Sequence, residues 1–164
     1  MYGDTGYVTS AQTQLVQEDG AIDRGALRYI QQSLGAQSVP IAARAWSDAR
    51  LTDPAKREPL ARVALTFAGP DQQANEFYVT AINDMGLSKD QRSNLIEDLN
   101  EDGFANLKNL TAADLPLIES RIALIEQLAP SAADEVNAAA FKEAYKDLVN
   151  MRQRAANPPA AAVK

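Results

Sequence analysis

The run Asp98-Leu99-Asn100-Glu101-Asp102-Gly103 has residue types and spacing that fit a defined chemistry. Oxygen-bearing side chains recur at every second residue, and a glycine follows the third. Calcium is a hard cation that takes about six to eight oxygen ligands, and alternate side chains of one loop can point at a single centre. Counted from Asp98, Asn100 stands at position 3, Asp102 at 5, Gly103 at 6, Phe104 at 7 and Asn106 at 9. Phe104 would contribute its carbonyl, and the glycine permits the sharp turn that brings the second half of the loop round.

The element that must deliver this run is a helix from Ser88 to Glu97. Ser88-Lys89-Asp90-Gln91 is a capping box, in which the serine hydroxyl accepts from the third amide and glutamine reaches back to the cap. Leu95, Ile96 and Leu99 carry the apolar face of that helix into the run.

Asp98 to Asn106 resembles the calcium loop of EF-hand proteins, and Asn106 at position 9 makes it more similar to the bacterial dockerin variant. The resemblance spans about twelve residues, Asp98 to Asn109. It implies calcium held by the side chains of Asp98, Asn100, Asp102 and Asn106 and by the Phe104 carbonyl. Position 12 is Asn109 where the family carries a carboxylate, and position 8 is Ala105. With two carboxylates, the implied affinity is in the roughly millimolar range of extracellular modules.

Other chemistry is open to the same residues. Asp and Asn compete for backbone hydrogen bonds, and Gly103 supplies a left-handed residue, so the run is also a competent helix terminator without an ion. If the helix continued, Glu97 with Glu101, or Asp98 with Asp102, would be carboxylates one turn apart. Such pairs hydrolyse glycosidic bonds when burial raises one pKa, as in small carboxylate-dependent glycan-acting enzymes.

The remaining chain reads as helices joined by short loops. A short helix is expected from Ala11 to Glu18, ended by Asp19-Gly20. Asp23 caps a helix carrying Leu27, Ile30 and Leu34, and Gly35 closes it. Ser38 is expected to cap the next, with Ile41, Ala45, Trp46 and Ala49 on one face. Trp46 reads as core. Asp53-Pro54 starts a helix with a stripe of Leu60, Val63, Ala64 and Phe67. Asp71 begins another, in which Phe77, Tyr78, Ala81, Ile82 and Met85 repeat at the helical period.

Pro116 is costly inside a helix, so a single turn at 111–114 and a fresh start at Asp114 are expected. Ile118, Ile122, Ile125 and Leu128 form the next stripe. Ser131 with Asp134 caps the last and longest helix, lined by Val136, Ala140, Ala144 and Leu148. No segment alternates as a strand does. The prediction is an all-α, compact, multi-helical orthogonal bundle of six to eight helices, with a short stack of helical hairpins as the alternative. Residues 1–155 are assigned to one domain and 156–164 to an Ala/Pro tail.

Composition narrows the function. The 164 residues include no Cys and no His, which removes disulfides, thiolates, the commonest general base and the commonest transition-metal ligand. Ser/Thr-x-x-Lys and the phosphate-cradling glycine patterns are absent, so the chain reads as non-catalytic. Net charge is −6, and residues 70–134 carry twelve acids against four bases, a net of −8. That field repels phosphate backbones and disfavours nucleic acid.

No apolar run is long enough for a membrane span, and Met1-Tyr2-Gly3-Asp4 does not open a signal peptide. The expected function is a helical protein-interaction or structural module with an unidentified protein partner. The alternatives are a weak calcium-binding module and a glycan-acting enzyme. Because weak calcium loops need abundant calcium, the reading leans to extracytoplasmic space.

Overall fold

The computed structural model describes residues 10–157. Seven α-helices are named here, with single 3₁₀ turns between several of them. α1 is Arg24–Leu34, α2 Ser38–Trp46, α3 Glu58–Phe67, α4 Gln72–Ile82, α5 Lys89–Glu97, α6 Leu115–Leu128 and α7 Glu135–Ala156. Among the described residues there is no strand, only an isolated antiparallel bridge between Val16 and Ile22. The fold is therefore all-α and multi-helical, as the sequence periodicity predicts.

The caps are local and explicable. Asp23, Asp71 and Asp134 each accept from an amide in the first turn of α1, α4 and α7, at 3.0, 2.9 and 2.9 Å. Ser88 and Gln91 form the expected capping box of α5. Thr111 and Asp114 cap a 3₁₀ turn, Ala112–Asp114, and α6 follows with Pro116 in its first turn, where its missing N–H costs nothing.

α3 is the central helix. Leu60, Ala61, Val63, Ala64 and Leu65 are all fully buried, so it is apolar nearly all round. It packs on α2 and α4, while α7 packs on α5 and α6, and α5 touches both groups. The Tyr78 hydroxyl of α4 donates to the Leu95 carbonyl of α5 at 2.7 Å, and burial pushes that phenol above its ordinary pKa. Arg92 of α5, 2% exposed, pairs with Asp134 at 2.8 Å, and Asn137 donates to the Ile82 carbonyl at 3.0 Å. Polar groups thus lock α7 against α4 and α5 as well as apolar ones.

Several local expectations shift. The first helical segment stops at residue 14, because Val16 turns to pair with Ile22 round the Asp19-Gly20 turn. Ser38 is the first residue of α2 and not its cap. The 3₁₀ turn Gly35–Gln37 leads straight into the helix, and the Ser38 hydroxyl donates back to the Gly35 carbonyl at 2.6 Å. The buried face of α2 is Val39, Ala42 and Trp46, with Ala49 beyond its end and exposed. Met85 is 63% exposed because α4 ends at Ile82 and the helical period no longer governs it. Pro130 lies in a 3₁₀ turn, so Asp134 alone caps α7. α7 runs to Ala156, and the tail expected for 156–164 lies outside the described residues from 158 on.

Candidate functional site: an acidic groove beside a carbonyl-bound arginine

α5 ends at Glu97, and Asp98–Asn100 form one 3₁₀ turn. Leu99 is fully buried and draws that turn against the core. Gly103 then reverses the chain with φ +93°; a Cβ there would sit 3.0 Å from both the Thr66 carbonyl oxygen and Arg121 Nη2. Only glycine meets both demands cheaply.

Arg121 explains why the backbone approaches so closely. It is fully buried on α6. Its Nε donates to the Ala68 carbonyl at 2.9 Å, and Nη2 to Leu65 at 2.9 Å and Thr66 at 3.1 Å. Nη1 donates to the Leu99 carbonyl at 2.9 Å and to that of Asp102. A guanidinium has five N–H donors, and main-chain oxygen takes every one. Three of these carbonyls lie at the C-terminal end of α3, where helix carbonyls lack partners and a cation is favoured. The Phe104 ring stacks 5.5 Å from the guanidinium carbon. Burial pushes the Arg121 pKa down to about 10, so it stays charged at neutral pH.

The candidate calcium ligands are engaged by other groups around this arginine. Asp98 accepts from Arg62 Nη1 at 2.8 Å, and Asp102 lies 3.7 Å from the same nitrogen. Asn100 donates through Nδ2 to Asp147 of α7 at 2.7 Å. Asn106 accepts from the Lys108 and Asn109 amides at 3.0 and 3.2 Å, a local Asx turn. Phe104 stacks on Arg121 as described. Asp98 and Asn100 line one groove together; Asp102, Phe104 and Asn106 are not part of its lining. Among the described residues, no three acidic side chains are grouped so as to hold a metal ion. Closing the loop round calcium therefore means exchanging the Arg62 and Asp147 bonds for metal bonds.

The groove itself is an open cavity of about 480 Å³ between the 97–101 turn and α7. Glu97, Asp98 and Glu101 face Asp147 and Asn150 across it, and Met151 and Leu107 contribute apolar surface. Arg154 is the one base in the lining, and its Nη2 already donates to the Leu107 carbonyl at 2.7 Å. Four carboxylates in the lining against Arg154, with Arg62 paired to Asp98, leave negative charge in excess. The neighbouring Asp98 carboxylate, with some burial, pushes Glu101 above the usual carboxylate range; burial does the same for Asp102, partly offset by Arg62.

Comparison with protein-family models, curated proteins and solved structures returns no match for this chain. No helix of the described residues is long and apolar enough to cross a membrane.

Of the carboxylate pairs in the glycan-enzyme reading, Glu97 and Glu101 share the groove, whereas Asp102 does not line it with Asp98. Trp46 packs edge-to-face on Phe77 at 5.4 Å, with Arg57 over its ring at 5.6 Å. Sequence reasoning missed Arg121, Arg62 and Asp147 as partners of the run. For Arg121 a signal existed: it stands three residues after Ile118 and four before Ile125, inside the apolar stripe of α6. A lone charge at a core-facing position must find partners inside. Asp147 gave no comparable signal, since packing brings it to Asn100 across 47 residues.

Proposed function

We propose that the chain is a non-catalytic helical protein-interaction module whose acidic groove takes a cationic segment of a protein partner. The observation that carries this reading is the gathering of Glu97, Asp98, Glu101 and Asp147 round one open cavity with Arg154 as its single lining base; Arg62 pairs with Asp98, which leaves Glu97, Glu101 and Asp147 in excess over Arg154. Lysine or arginine side chains of a partner supply the missing positive charge, and their stems pack on Leu107 and Met151. Such complementarity favours fast encounter and rejects polyanions. The absence of His and Cys from the sequence also supports a binding role over catalysis.

Fluorescence anisotropy of labelled octalysine at low salt tests this. Saturable binding is expected, weakened about tenfold or more in Glu97→Gln/Glu101→Gln/Asp147→Asn. The control Glu76→Gln/Glu119→Gln, which removes exposed charge elsewhere, should bind as the wild type does. No binding, or equal weakening in both variants, would overturn the reading.

A further inference from the structure

A second groove, of about 350 Å³, runs between α5 and α7 next to the first, and Glu97 lines both. Its floor is Val136, Ala139 and Ala140, and Glu97, Glu135 and Glu143 rim it. The lining differs from that of the acidic cavity in being mainly apolar, with small side chains that let another backbone approach. No lysine or arginine lines it.

The two grooves follow one face of α7. Residues 136, 140, 143, 147, 150 and 154 are spaced by alternating steps of four and three, the helical register of a single stripe. From 136 to 154 that stripe is about 27 Å long at ~1.5 Å per residue.

Resting on the interaction reading above, we infer that the two grooves form one docking surface for a short amphipathic helix of a partner protein, with its apolar face on Val136, Ala139 and Ala140 and its lysines or arginines on the glutamate rim and in the acidic cavity. Charge complementarity selects the occupant. A free polycation neutralises the rim but leaves the apolar floor wet, and an acidic or neutral helix meets three rim carboxylates without counter-charge. A helix supplies both surfaces at once, because residues three and four apart share a face. An added strand is disfavoured, since the described residues offer no sheet edge for it to extend.

The test uses two synthetic peptides of identical Leu/Lys composition, one with leucines at the helical period and one scrambled, beside octalysine. Binding is followed by anisotropy against the full chain. The periodic peptide should bind about tenfold or more tightly than the scrambled one. Ala139→Gln, at an exposed position, fills the floor without changing charge. It should abolish that preference and leave octalysine binding unchanged. Equal affinity of the two Leu/Lys peptides, or a preference that survives Ala139→Gln, would remove this inference alone while octalysine still binds. Failure of all three peptides to bind would remove the interaction reading with it. Concentration-dependent self-association lost in Ala139→Gln would assign the surface to a second copy of the chain and overturn the partner helix.

Discussion

Arg121 Nη1 donates to the Leu99 carbonyl at 2.9 Å across 22 residues, so α6 holds the turn at the end of α5 from inside. The cation at the centre of the acidic run is a guanidinium. It engages main-chain oxygen, which leaves the carboxylates of the run turned to Arg62 and to the groove. One side chain thereby fixes the wall on which Asp98, Asn100 and Glu101 are displayed.

Arg121→Met should destabilise the fold by about 3–5 kcal/mol, because it takes a buried donor from five carbonyls, of which Leu65 keeps the Ala68 amide at 3.3 Å. Arg121→Lys keeps a charge but loses the planar fork, and should cost about 1–3 kcal/mol. Chemical denaturation of both variants checks this. Equal stability of wild type and Arg121→Met would show that the carbonyls find other partners.

Gly103→Ala should cost about 1–3 kcal/mol by the same assay, since it combines a positive φ with a Cβ pressed against the Thr66 carbonyl. Gly35→Ala provides the comparison. Its φ is +56° and no atom lies within 4 Å of the added Cβ, so strain alone acts there and the loss should be smaller.

Asp48 should titrate at about 2, far below an ordinary carboxylate, chiefly through the Arg50 side-chain hydrogen bonds at 2.8 and 3.0 Å. Its folded pKa is depressed, so the unfolded chain binds more protons as pH falls. The small stabilisation is complete above the unfolded value and fades as pH drops through the folded one. In Arg50→Ala the carboxyl should move up but not fully back, because the amide of residue 50 still donates to it at 2.9 Å. NMR titration of the Asp48 side chain reads this, and an unmoved value would contradict it.

Calcium up to ~10 mM should leave the melting temperature unchanged, because the candidate ligands already hold Arg62, Asp147 and local amides. A concentration-dependent rise that Asp98→Ala abolishes would instead show that the loop exchanges those bonds for an ion.

The helices were legible because caps and periods are local. Asp23, Asp71 and the Ser88–Gln91 box each act within one turn, and Ile118, Ile122 and Ile125 announce their buried face. The errors fall where local rules end. Met85 follows the period of α4 in sequence but lies past its last turn. The site was half legible. Its acidic wall is one contiguous run, but the opposite wall on α7 and the guanidinium behind it arrive through packing between distant segments.

The most direct test of the central claim is amide chemical-shift mapping of the labelled chain during octalysine addition. The account predicts shifts concentrated at residues 97–101 and 143–151, suppressed in Glu97→Gln/Glu101→Gln/Asp147→Asn. Shifts that centre elsewhere, such as on the Trp46 and Phe77 face, or that leave 97–101 and 143–151 unmoved, would contradict it.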